Sequence, residues 1–332
     1  MAGPAAERNV YVNTWHRNRF LKFGVEHWHF KSKKRQDKSQ CIKYVKKIPI
    51  FGRKEIKSIR MHFTSPDATT IGKFEKLSEF EHLLHFVSTR VGGISTGSFE
   101  SLNIGFHVGD DNFRVLKNRK ILADEVGVGL DKFTFANQCH SSNVAIVDSS
   151  GRGKGAMEQE TALANTDGMV TNVPYICLSV QVADCVPILL YDPTKEVIAS
   201  LHAGWKGTLR KIVTETVGKM VQHYGTKAEN ILAALGPSNG PCCYEVGNDV
   251  VREARMTLGN TYAIIRPSKT PGKFIFDQWA ANRRQLIDAG VKEAHIENSG
   301  ICCQCNHDQF YSNRAGQGHT GRYMAGIMIK KH

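Results

Sequence analysis

A chain of 332 residues with 41% apolar and 9% aromatic side chains has the make-up of a globular protein with a sizeable core, one large domain or two smaller ones. The run CVPILLY (residues 185–191) is its longest apolar stretch, far short of the ~18 residues a membrane helix needs, so no membrane role is expected. Nine cysteines in a chain this long, without a secretory signal, read as reduced thiols rather than a disulfide scaffold.

The formal net charge of +13 suggests a nucleic-acid binder until it is located. Residues 1–76 carry 18 Lys+Arg against 6 Asp+Glu, and the remaining residues carry 26 against 25. The basic character therefore belongs to an N-terminal extension, residues 1–76, expected to be a solvated arm. A targeting peptide or a surface for acidic partners is the alternative; RNRFLKFGVEHWHFKSKKR (17–35) is basic and aromatic but poor in serine. Nucleic acid is not expected as a partner of the rest. The cytoplasm is the expected compartment, with the mitochondrion as the alternative if the extension is a transit peptide.

Residues 64–74, polar and small, read as a linker. HLLHFVSTR (82–90) reads as a strand, and VGGISTGSFESLNIGFHVGDD (91–111) as a long ordered loop. Asp111 or Asn112 caps a helix to about Val126, with Val115, Leu116, Arg119, Leu122, Ala123 and Val126 on one face. Strands follow at FTFANQCH (133–140), NVAIVD (143–148), GMVTNV (168–173), YICLSVQVADCVPILLYD (175–192) and EVIASLH (196–202). From Thr208 to Tyr224 apolar residues recur at helical spacing, and Gly225 stands where a left-handed cap is expected. NILAALG (230–236) is a further strand, and FDQWAANRRQLIDAG (276–290) a helix ending at a glycine. Strands outnumber helices, so a mixed α/β domain is expected over 77–332, without a purely parallel sheet.

His202 closes a strand directly before Gly204-Trp205-Lys206-Gly207. A lone histidine there is more often a buried cap than a ligand. Cys185, at the start of the preceding strand, and His140 are its candidate partners: two His and one Cys leave a tetrahedral zinc one open position. Asp184 either supports that set or faces away. Amides near Lys206, Gly207 and Thr208, at the start of the expected helix, together with Lys206 and Arg90, form a candidate anion site, with ordinary surface cations as the plain alternative. His295-Ile296-Glu297 before Cys302-Cys303-Gln304-Cys305 imitates a zinc deaminase signature, but the spacing is too tight. Cys242, Cys243, Cys302, Cys303 and Cys305 either cluster around a second metal or are buried thiols.

STRVGGISTGSFESLNIGFHVGDD, ADCVPILLYD, HAGWKGT, LGPSNGPCCYEVG and CCQCNHDQFYSNR…TGR, in this order over roughly 80–329, resemble the successive motifs of the multicopper polyphenol oxidoreductase (laccase-domain) family, members of which are described as purine nucleoside phosphorylases. The resemblance implies a layered α/β sandwich of mixed sheets and a zinc on the positions matching His140, Cys185 and His202. It also implies phosphorolysis of adenosine, inosine and S-methyl-5′-thioadenosine, with adenosine deamination besides. Phosphate would then meet Arg90 and Lys206, while Asn103 and Gln181 are candidate substrate contacts. Two departures stand out: Gln138-Cys139-His140-Ser141 replaces the usual Q-V-H-G, and Arg314 is followed by Ala315 where paired arginines are usual, which leaves Arg314 as the substrate-binding candidate there. The rival readings are a copper-dependent phenol oxidase, a cysteine hydrolase using Cys185 and His202, and a binding protein acting through its basic arm.

Overall fold

The computed structural model describes residues 61–63 and 70–330. In chain order these form β1 (Met61–Phe63), β2 (Ile71–Phe74), β3 (Leu83–Ser88), helix α1 (Asn112–Val126), β4 (Phe133–Thr134), β5 (Val144–Ile146) and β6 (Gly168–Thr171). The central stretch follows as β7 (Cys177–Val182), β8 (Val186–Asp192), β9 (Val197–Ala203), α2 (Trp205–Leu209), α3 (Ile212–Tyr224) and β10 (Leu232–Leu235). The remainder is β11 (Glu245–Val246), α4 (Asn248–Leu258), β12 (Ile265–Pro267), β13 (Phe274–Phe276), α5 (Gln278–Asp288), β14 (Ile296–Asn298) and β15 (Tyr323–Ile329).

Two six-stranded sheets face each other, in the orders β1-β2-β3-β15-β7-β4 and β14-β10-β8-β9-β6-β5. Both are mixed: β4–β7, β10–β14 and β5–β6 pair parallel, and the other neighbours antiparallel. Side chains alternate across each strand. On β15, Tyr323, Ala325, Ile327 and Ile329 join Leu178 and Val180 of β7 against Leu189, Tyr191 and Ile198 of the second sheet. Met324 and Met328 point the other way, to Leu122 and Ala123 of α1. On β9, Val197, Ala199 and Leu201 pack under Ile212, Val213 and Val217 of α3. The layers are therefore helix, sheet, sheet, helix. The middle strands are buried on both faces, which is why CVPILLY reads as an unbroken apolar run.

Helix α1 starts and stops as its sequence requires: the Asp111 carboxylate accepts the Arg114 N–H at 3.1 Å, and Gly127 closes it at φ 69°. Four expectations need correcting. Part of the stretch read as a linker is strand β2, paired with β3, and β1 pairs with β2, so 61–63 and 71–74 of the expected arm 1–76 belong to the sheet; residues 1–60 and 64–69 of that arm lie outside the described residues. The stretch 175–192 is two strands in different sheets, because Asp184 at φ 87° turns the chain from one to the other. The helix expected from Thr208 is two, α2 and α3, broken at Lys211 with φ 62°. The strand expected to end at His140 stops at Thr134, apart from a lone bridge from Ala136 to Leu163. Helix α4 and the small sheet β11-β13-β12 were not anticipated.

Candidate metal centre

The hairpin β8–β9 sets two of the expected ligands side by side. Val186 pairs with Ala203 and Pro187 with His202, so Cys185 and His202 end at one sheet edge. His202 has the parity of Ile198 and Ser200 and faces the opposing sheet. His140 arrives from a separate loop at φ 60°, its Nε2 3.8 Å from the Cys185 sulfur and its ring 4.8 Å from that of His202. The ligand atoms of the three all lie within 4.8 Å of one another, and no fourth His, Cys, Asp or Glu joins them among the described residues. Gly204 makes the convergence sterically feasible: a Cβ there would stand 2.8 Å from His140 Cδ2 and 3.0 Å from the Cys185 sulfur.

A residue that the sequence did not reveal organises the set. Asp167, buried just before β6, accepts the His202 Nδ1 proton at 2.8 Å and the His140 N–H at 3.0 Å on one oxygen. Its other oxygen accepts the N–H groups of Cys139 at 3.2 Å and Ser141 at 2.7 Å, and the Ser141 hydroxyl at 2.7 Å. One carboxylate thus curls the 139–141 loop and engages His202 through Nδ1, leaving Nε2 as the candidate donor atom. The pairing of Gly168 with Leu201 and the His202 N–H bond to the Asp167 carbonyl at 2.7 Å set Asp167 beside His202. Asp184 faces away, its carboxylate taken by Ser312, Cys303 and the Arg314 N–H.

The electrostatics agree with this arrangement. Burial works against an ionised Asp167, yet the His202 and Ser141 hydrogen bonds hold its carboxyl well below the usual range. Burial would also raise the Cys185 thiol, but the His202 cation and the His140 contact bring it down to about 6. Burial would lower His202, but the Cys185 thiolate and Asp167 raise it to about 9. Cys185 and His202 each favour the charged form of the other, and a metal cation at this point would take the place of the proton between them. Two imidazoles and a thiolate fit zinc with one position open, and they fit copper as well.

The remaining predicted residues divide. Lys206 is exposed in the first turn of α2, its ammonium 5.6 Å from the Trp205 ring. Helix α2 is a single five-residue turn, and the Thr208 N–H already bonds to the Gly204 carbonyl, so the expected row of free amides is shortened. Gln181 lies buried on β7 with its Oε1 unpartnered. Arg314 is exposed, with its N–H 2.6 Å from Asp184 and Nη1 3.1 Å from the Glu245 carbonyl. Arg90 is committed to the carbonyls of Glu100 and His307, and lies 4.6 Å from the Tyr311 ring centroid, on the wall of a cleft of about 310 Å³. Asn103 is fully buried and spends its amide on Gly105, Asp110 and the Arg322 N–H, which makes it a scaffold for the 103–110 loop. Arg322, another residue the sequence reading passed over, lies within electrostatic reach of Cys185.

Fold and donor set together define a layered α/β protein with a His–Cys–His cluster at a sheet edge. The chain belongs to the multi-copper polyphenol oxidoreductase laccase family, whose model matches residues 84–330. It is 39% identical to purine nucleoside phosphorylase YlmD of Bacillus subtilis (strain 168), over 74% of this chain and 87% of that protein. It is 37% identical to adenosine deaminase RL5 of an unknown prokaryotic organism, over 78% of this chain and 98% of that protein. The crystal structure of YlmD from Geobacillus stearothermophilus superposes with a TM-score of 0.77 at 34% identity, covering 81% of this chain and 99% of that one. Among the described residues no helix is long and apolar enough to cross a membrane.

Proposed function

We propose that residues 77–332 form a zinc-dependent purine nucleoside phosphorylase domain that cleaves adenosine, inosine and S-methyl-5′-thioadenosine, with adenosine deamination as a side activity and a basic extension before it. The observation that carries the reading is the convergence of His140, Cys185 and His202 on one point, in a chain whose relatives bear phosphorylase and deaminase names. Bound there, zinc would supply a fixed positive charge and one open coordination position.

In phosphorolysis a phosphate oxygen bonds to C1′ of the ribose as the C1′–N9 bond breaks, and the purine leaves with that electron pair and takes up a proton. In deamination water adds at C6 and ammonia leaves. The chain's own part is placement. Asp167 holds the His202 tautomer and the 139–141 loop, so the donors are oriented before substrate arrives. Lys206, two residues beyond Gly204, and Arg314, tied through its N–H to the residue before Cys185, supply mobile positive charge for the anion. Gln181 offers a buried acceptor without a partner of its own. Such substrates are those of the cytoplasm, where this reading places the activity.

The test is turnover of the three nucleosides by zinc-loaded protein, with and without phosphate, resolved by chromatography. Free base and the ribose 1-phosphate forming only with phosphate, and lost in Cys185→Ala, support the reading; intact nucleosides on metal-loaded protein refute it. The closeness of the Cys185 sulfur to the His202 ring favours one rival, a cysteine hydrolase, which a chelator would leave active and alkylation of Cys185 would stop. A copper EPR signal in active protein would instead favour the phenol oxidase.

A further inference from the structure

Beside the His–Cys–His cluster two loops converge on four more thiols. The turn after β10 carries Cys242 and Cys243, and the loop after β14 carries Cys302 and Cys305. The loops are laced together: the Ser238 N–H donates to the Ile301 carbonyl at 3.1 Å, and the Cys303 N–H to the Ser238 carbonyl at 3.0 Å. The Cys305 sulfur stands 3.5 Å from that of Cys242 and 3.3 Å from that of Cys243, and all four sulfurs lie within 4.8 Å of one another. A tetrahedral zinc with bonds of ≈ 2.3 Å sets its sulfurs about 3.8 Å apart, whereas a disulfide needs about 2.05 Å. The spacing is too long for a disulfide and brackets the separation that coordination requires.

Backbone donors are already aimed at one of these sulfurs. The Gly240 N–H donates to the Cys302 sulfur at 3.3 Å, and the Cys305 N–H turns back on the same atom. Gly240 permits this approach, since a Cβ there would meet the Trp279 ring at 2.6 Å and Cys302 Cβ at 3.1 Å. Arg266 donates to the Pro241 carbonyl at 2.8 Å, which ties β12 to the residue before Cys242. Cys303 is turned out of the cluster, its thiol 3.0 Å from Asp184 Oδ1.

We propose that Cys242, Cys243, Cys302 and Cys305 form a second metal site, a closed tetrathiolate that takes a zinc-class divalent cation for a structural purpose. Each thiol gives its proton to solvent as its sulfur lone pair takes the cation, so no oxidant or reductant is required. Four sulfurs complete the tetrahedron and leave no open position, unlike the three-donor centre. The site clamps the loops that hold the residue before Cys185: the Asn239 N–H donates to the Asp184 carbonyl at 2.8 Å, and Gln278 Nε2 bridges the carbonyls of Asp184 and Asn239. The proposal does not depend on the catalytic reading, because none of the four thiols belongs to the His–Cys–His cluster.

The test counts metal in the full chain purified under reducing conditions with zinc. Two equivalents are expected in the wild type, one in the Cys242→Ser/Cys305→Ser double variant and one in His140→Ala. Cobalt-loaded His140→Ala should show the intense charge-transfer bands of a tetrathiolate centre. In the zinc-loaded wild type, alkylation followed by mass spectrometry should find the four cysteines protected until a chelator is added, a readout that stands even if the double variant fails to fold. A His140→Ala protein without metal, free alkylation of the four thiols in the zinc-loaded wild type, or a disulfide joining Cys305 to Cys242 or Cys243 would overturn the assignment.

Discussion

Asp167→Asn separates the charge of the organising carboxylate from its shape. In the wild type both oxygens accept: Oδ1 from His202 Nδ1 and the His140 N–H, Oδ2 from the Cys139 and Ser141 N–H groups. Asparagine keeps one acceptor and turns the other into a donor. If its oxygen faces His202, its NH₂ meets the amides of 139 and 141, donor against donor, at a cost of ~1–3 kcal/mol. If it flips, the NH₂ faces His202 Nδ1 and drives the imidazole proton to Nε2, the atom needed for the metal. Either way the ligand set loosens, and loss of a partner of this kind weakens metal binding by about 10–100-fold, ~1.4–2.7 kcal/mol. Zinc competition against a chromophoric chelator at neutral pH measures the loss of affinity, and denaturant unfolding of the metal-free protein the donor–donor cost. Wild-type zinc affinity together with an unchanged unfolding midpoint would refute the reasoning.

Gly204→Ala places a methyl group 2.8 Å from His140 Cδ2 and 3.0 Å from the Cys185 sulfur, so turnover should drop on the order of 10²-fold while the melting temperature changes little; unimpaired turnover would contradict the packing. Arg119, fully buried, donates to the carbonyls of Ile104 and Ala156 and lies 4.1 Å from the ring centroids of both Phe106 and Phe135. A lysine has no planar fork to reproduce this, so Arg119→Lys should lower stability by about 2–3 kcal/mol in urea unfolding. His85, on β3, accepts the Phe74 N–H at 2.9 Å, and burial with Lys73 nearby holds it down to about 3. The unfolded chain binds a proton near 6.5 and the folded one near 3, so between these values stability rises with pH and is lost as pH is lowered, by about 1.4 kcal/mol per unit from this group. His85→Gln should flatten the dependence of the urea midpoint over that window, and an unchanged slope would assign it elsewhere.

Local signals carried far along this chain. The cap at Asp111, the glycine at 127 and the apolar face between them define α1 from sequence alone, and the β-branched runs on either side of the 193–196 turn place Cys185 and His202 at one edge, since an antiparallel hairpin brings its outer ends together. The resemblance in its motifs points to the same three residues, His140, Cys185 and His202. What escaped was non-local. The apolar spacing from Leu209 to Ile212 and Val213 continues straight through the break, so nothing before Lys211 announces its left-handed turn. The strand-like FTFANQCH hides a short strand and a loop whose shape comes from a carboxylate 28 residues further on.

The sequence by itself determined the class, the helix ends and the identity of the candidate ligands, because periodicity, capping and motif order are properties of neighbouring residues. Only the tertiary structure decided that Asp167 rather than Asp184 supports the histidines, that Asn103 is spent inside the fold, and that four cysteines from two loops share one point. Those outcomes depend on register between strands and on which loops a packed sheet edge brings together, and residues far apart in the chain do not encode their distance in any local pattern.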